Sequence, residues 1–242
     1  MSHNRINILR IPLDILPEDE MESRITALLN TETSCQICLL TFPDIMRAQF
    51  NKELLDCFRR SSLNIPITIS ALFAARWLKK DKPVVHNPFT FVIRLLGVLE
   101  KYNRSIYILG SRKKNILRSE NNLKTSFPGL QIVGRYTGSF SQTEENNVIL
   151  AVKKSSPALL LTGKGLKGDN LWLFRNSSSF SPGLTLWGRS CFEIFSGKKK
   201  KPVSMTGSRF FFSALFSLLL PWRLLTMLLF FLLLTVEKIR NR

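Results

Sequence analysis

Glycines that close apolar runs, and one close pair of cysteines, are the residues whose spacing could do chemistry. Gly163-Lys164-Gly165 follows the apolar run Ala158 to Thr162 and precedes Asp169 and Asn170. A G-x-G turn after a strand lets bare backbone approach a diphosphate, although the same pattern also makes a plain tight turn. Gly110, Gly134 and Gly138 punctuate the stretch Ser105 to Phe140 in the same way. Cys35 and Cys38 have the C-x-x-C spacing of a metal or redox pair. Only Cys57, Cys191, His3 and His86 could complete a metal set, and they supply no second pair at ligand spacing. The run CQICLL reads instead as a strand with buried cysteines, so no metal is expected.

A second chemistry is carried by charge. Lys198, Lys199, Lys200 and Lys201 stand in one run, with Arg209 and Arg223 further on. Nucleic-acid surfaces interleave cations with aromatics that stack on bases, and this run does not. It precedes residues 210–236, which hold 18 Leu, Phe or Val and the single charge Arg223. That order favours anionic lipid headgroups, at about 1 kcal/mol per cation near the surface. The apolar stretch is long enough to span a bilayer with tilt. It could also bend at Pro221 into two helices lying in one leaflet, with Arg223 reaching the headgroups. The scarcity of charge favours a span or deep insertion.

These residues need a frame to position them. Ser105 to Leu109 is a short apolar run halted by Gly110. Ile116, Leu117 and Leu123 then recur at the spacing of one helix face. Phe127-Pro128-Gly129 breaks that helix, and Leu130 to Val133 is a second apolar run before Gly134. Strand, helix and strand make a parallel βαβ unit whose strands end in glycine at the carboxyl edge, where α/β proteins bind ligands. Residues 5–16 suggest a strand or hairpin, and Pro17 to Glu20 open a helix with acids in its first turn. Ile37 to Thr41 reads as a strand, followed by one helix from Asp44 to Arg60. Pro88 to Tyr102 reads as a helix, and Ser141 caps another over Gln142 to Lys154.

A chain of 242 residues can bury a full core, so one α/β domain with an appendage is expected. The net charge of +18 implies anionic partners: lipid, nucleic acid or phosphorylated substrate. The opening residues lack the apolar core and cleavage site of a signal peptide, so a catalytic domain here is expected to stay in the cytoplasm.

The order of YILG, a helix, FPGL, IVG and TGSF resembles the WecG/TagA/CpsF glycosyltransferases of bacterial cell-surface polymer synthesis. Gly110, Pro128, Gly129, Leu130, Gly134, Gly138 and Phe140 carry that likeness. Gly163, Gly165 and Trp172 extend it, as do Gly188, Phe192, Ser196, Gly197, Lys198 and Pro202. Thr41 stands in the family's T-x-N, whose asparagine is replaced by Pro43. Glu193 takes the place of a usual aspartate, and Ile67 occupies the position of the aspartate held to be the family's base. A hydrocarbon cannot accept a proton.

The resemblance implies a Rossmann-like α/β domain over residues 1–202, a mostly parallel sheet flanked by helices. A membrane-associating tail follows over 203–242. It implies transfer of an N-acetylmannosamine-type sugar from a UDP-sugar to a polyprenyl-diphosphate-linked acceptor, with inversion and without a metal or other cofactor. Thr41 and Glu193 become the candidate catalytic residues. Gly110, Gly134, Gly138, Gly163, Gly165, Asp169 and Asn170 become the candidate substrate-binding set. The setting implied is the cytoplasmic face of the bacterial inner membrane, peripheral or single-pass, with membrane lipids as partners and self-association left open. Two rivals follow from the same residues. Ile67 and Pro43 suit an inactive relative that binds a nucleotide sugar or acts as a membrane scaffold, and the charge alone suits a nucleic-acid binder.

Overall fold

The computed structural model describes residues 4–166, 169–180, 182–200 and 221–240. Arg5–Ile8 (β1) and Ile11–Asp14 (β2) form the expected hairpin, antiparallel and closed by Leu9 and Arg10, both at positive φ. Its ends are tied down by Asp14, fully buried, which accepts from Arg5 Nε at 2.6 Å and from the Asn64 N–H.

Six further strands form one all-parallel sheet. They are Ser34–Leu40 (β3), Leu63–Pro66 (β4), Ser105–Leu109 (β5), Gln131–Tyr136 (β6), Leu159–Thr162 (β7) and Gly183–Trp187 (β8), in the order β4-β3-β8-β7-β5-β6. The central strands are short and apolar without alternation because both faces are covered, as parallel sheets require. On one face Ile37, Leu39, Ile106, Ile108, Leu159, Leu161 and Leu186 meet four helices. These are Met21–Leu29 (α1), Pro88–Lys101 (α5), Lys113–Ser126 (α6) and Cys191–Phe195 (α9).

The opposite face carries two clusters. Cys38 and Leu40 pack with the hairpin and with Phe42–Phe50 (α2), Lys52–Arg60 (α3) and Ser70–Trp77 (α4). Tyr107, Leu109 and Leu160 pack with Gln142–Ser155 (α7) and Asn170–Arg175 (α8). All four cysteines are buried and free.

Two expectations need correction. The helix expected over Asp44 to Arg60 is two, because Asn51 leaves helical geometry and its side chain caps Leu54 of α3. Gly134 does not end its strand: β6 continues to Tyr136, and a side chain at 134 would strike the Tyr107 ring. One face of the tail also packs on the domain. Pro221–Arg240 (α10) buries Phe230 and Leu234 in the cluster beside the hairpin, and Phe230 meets Phe42 edge-on at 5.0 Å. Glu237 accepts the Leu9 N–H at 2.6 Å and pairs with Lys80 at 3.1 Å, which holds the left-handed hairpin turn. Among the described residues no helix is long and apolar enough to cross a membrane. The N-terminal part of the expected 210–236 segment, with Lys201 and Arg209, lies outside the described residues.

Candidate active site at the carboxyl edge of the sheet

The chain leaves β5 outward to β6, but leaves β7 inward to β8. Neighbouring strands whose connections diverge open a crevice at their carboxyl ends. Gly110 and Gly163 lie there, one after β5 and one after β7, with Gly138 and Gly165 alongside. They are bare chiefly because the backbone crosses itself. A Cβ on Gly110 would lie 2.7 Å from the Gly163 nitrogen, and one on Gly165 would lie 3.1 Å from Gly138 backbone. A Cβ on Gly163 would enter the Phe192 ring. The glycines thus interlock three loops over the switch point.

Beneath them Glu193 is buried and accepts from Ser111 Oγ at 2.9 Å. Its Oε2 has no hydrogen-bond partner among the described residues. Beside the crossing, a cleft of about 590 Å³ runs between Gly138 and Trp172, lined by Ser141, Glu145 and Arg175 among others. Trp172 donates to Glu145 at 2.6 Å, which fixes one wall.

Next to this crossing, the ends of β3, β7 and β8 bring ionic groups together. Thr41, the first residue after β3, caps α2 reciprocally with Asp44, and its hydroxyl donates to Asp44 Oδ2 at 2.6 Å. Arg189, just beyond β8, donates to the same carboxylate and to the Leu39 carbonyl at 2.8 Å, and stacks on Trp187 at 4.3 Å. Asp169 opens α8 after β7. Burial pushes its carboxyl up from the usual value, Arg189, Arg47 and Lys164 pull it back, and Asp44 adds to the rise. Ser111 and Arg189, just past the ends of β5 and β8, and Asp169, at the start of α8, all hold positive φ. Strained backbone of this kind gathers at functional sites.

Thr41 and Asp169 therefore share one site, while Glu193 and the glycines occupy the adjoining crevice. Asn170 turns its carbonyl inward to Gln36 Nε2 at 3.0 Å and serves the core. Ile67 packs partly buried against the main apolar cluster, directly after β4, so no carboxylate stands there. Lys198, Lys199 and Lys200 are exposed after α9, and Arg223 lies in the first turn of α10. Sequence reasoning missed Asp44 and Arg189, since only the parallel pairing of β3 with β8 makes them neighbours.

An all-parallel, doubly wound sheet with polar and charged groups gathered at its carboxyl edge defines an α/β protein of the kind whose ligand crevice lies at that edge. The sequence model of the Glycosyl transferase WecG/TagA/CpsF family matches residues 6–242, and the chain belongs to that family. It is also 36% identical over 78 residues to the large ribosomal subunit protein uL4 of Christiangramia forsetii (strain DSM 17595 / CGMCC 1.15422 / KT0803). That match covers 32% of this chain and 36% of the ribosomal protein, so the chain spans about a third of this curated relative.

Proposed function

We propose that the protein transfers a sugar, of the N-acetylmannosamine type, from a UDP-sugar to a polyprenyl-diphosphate-linked acceptor in cell-surface polymer synthesis. The observation that carries this reading is the convergence of Asp169, the Asp44–Arg189 pair and Thr41 at one sheet edge, in a chain of this family. Arg189, Arg47 and Lys164 supply the positive charge that a leaving diphosphate needs, without calling on a metal. The acceptor hydroxyl oxygen attacks the anomeric carbon as the bond from that carbon to the diphosphate oxygen breaks. UDP departs with the electron pair, and the hydroxyl proton passes to a carboxylate. A single displacement of this kind inverts the anomeric centre.

Since Ile67 cannot take the proton, Asp169 is assigned as the base. Its desolvated carboxylate holds a proton more readily than an exposed one would. Calorimetry against UDP and UDP-sugars, followed by turnover on a polyprenyl-diphosphate-sugar acceptor with and without EDTA, tests the reading. Binding with EDTA-insensitive turnover is expected, and failure to bind any uridine nucleotide would sink it. Binding without turnover would establish the second reading, an inactive relative, which the apolar surroundings of Ile67 favour.

A further inference from the structure

The ionic cluster at the sheet edge contains one group of the wrong sign for an anion. Asp44 is buried, and its charge is among the causes that raise the Asp169 carboxyl, so its field reaches into the site. A diphosphate bound nearby meets repulsion from it. Yet three donors converge on its Oδ2: the Thr41 N–H at 2.9 Å, the Thr41 hydroxyl at 2.6 Å and Arg189 Nη2. The Thr41 hydroxyl is thereby occupied within the protein.

Arg189 is fixed from several directions. Its backbone is left-handed, at φ 57°, and its Nη2 also donates to the Leu39 carbonyl at 2.8 Å. The guanidinium lies over the Trp187 ring at 4.3 Å, and the side chain remains 21% exposed. A guanidinium carries five N–H donors, and the two acceptors that hold this one both sit on Nη2. Its Nε has no partner among the described residues.

We propose that Asp44 is a positioning residue: it holds the Arg189 guanidinium where the second phosphate of a nucleoside diphosphate binds, with Thr41 steadying the carboxylate. The second phosphate is the one joined through oxygen to the anomeric carbon. It therefore lies nearer the base, Asp169, than the first phosphate does, and Arg189 acts electrostatically on that same Asp169. A fork held in one plane matches two oxygens of one phosphate, which a mobile ammonium does not. The choice of ligand rests on the glycosyltransferase reading.

Calorimetry of the full-length protein with UDP and UMP separates the two phosphates. Arg189→Lys keeps the charge but loses the fork, and should weaken UDP about tenfold or more while UMP changes less than about twofold. Asp44 is tested by the sign of its effect. As a mere counter-charge it only repels the ligand, so Asp44→Ala would tighten UDP. As the clamp it orders Arg189, so Asp44→Ala should weaken UDP about tenfold with UMP again nearly unchanged. Asp44→Asn keeps an acceptor oxygen for Thr41 and Arg189 without the charge, and should restore UDP affinity to at least that of wild type. Thermal unfolding follows each variant, and Asp44→Ser, which leaves a hydroxyl to cap α2, replaces the alanine variant if that does not fold.

Tighter UDP binding by the alanine or serine variant would overturn the assignment while leaving the donor reading intact. So would equal UDP affinity in wild type and Arg189→Lys. Parallel losses of UDP and UMP would reduce Asp44 to a structural role and overturn it as well. Failure of the wild type to bind any uridine nucleotide refutes the donor reading, and this assignment with it.

Discussion

Asp169 combines two properties that rarely sit together in a structural residue: a left-handed backbone and a carboxyl raised by burial. If it is the base, Asp169→Asn should lower turnover by about 10²- to 10⁴-fold while UDP affinity stays within a few-fold. The rate should fall on acidification with a midpoint above the ordinary 3.8, since only the ionised carboxylate can accept the proton. The variant should melt no lower than the wild type, because it removes a charge that the fold desolvates. An unchanged rate would move the assignment to Glu193, tested by Glu193→Gln. The reverse experiment, Ile67→Asp with Thr68→Gly, places a carboxylate against the apolar cluster that Ile67 touches. Lower thermal stability is therefore expected, with a gain in turnover only if the new group can reach the acceptor.

Loop interlocking belongs to the scale of elements. The glycines after β5 and β7 were expected to leave room for a diphosphate, yet several leave room for one another and for Phe192. Gly163→Val should accordingly destabilise the protein as a whole, rather than selectively weaken UDP. Gly163→Ala combined with Phe192→Leu should recover part of the lost stability, measured by urea unfolding. The same scale governs α10, whose Phe230 lies 3% exposed against Phe42. Phe230→Ala should cost about 3–5 kcal/mol of folding stability in the full-length protein. A helix released into a bilayer would leave that value near zero.

Across the whole molecule, the segment between α4 and α5 is pinned by His86. Its Nε2 donates to the Leu16 carbonyl at 2.8 Å, and its own N–H reaches the Pro66 carbonyl at 3.1 Å. Ring and backbone of this one residue thereby join the N-terminal segment to the end of β4. Burial holds the imidazole below its usual 6.5; the Leu16 carbonyl and Glu18 oppose that shift, and Arg94 adds to it. The unfolded chain binds the proton more readily, so this contribution is full above about pH 6.5 and is lost as pH falls through the depressed folded value. Urea unfolding of wild type and His86→Gln should show it: wild type loses stability more steeply on acidification, and parallel curves would refute the coupling.

How much was legible in the chain follows from the range of each force. Short apolar runs and their breakers are local, so the hairpin, the β5–α6–β6 unit and the capping box at Ser141 could be read directly. The family motifs, being contiguous, were equally readable. Asn51 splitting a helix was not, because α3 needs the sheet beneath it to repay a second helix start. Nor was the contact of one face of α10 with the hairpin: composition does not say which side of an apolar helix meets protein, and only the fold places Phe230 and Leu234 there. The site divides in the same way. Thr41, Asp169, Glu193 and the glycines were candidates that the family resemblance picked out, because its motifs are contiguous. The meeting of Asp44 with Arg189, 145 residues away, was decided by strand order in the folded sheet.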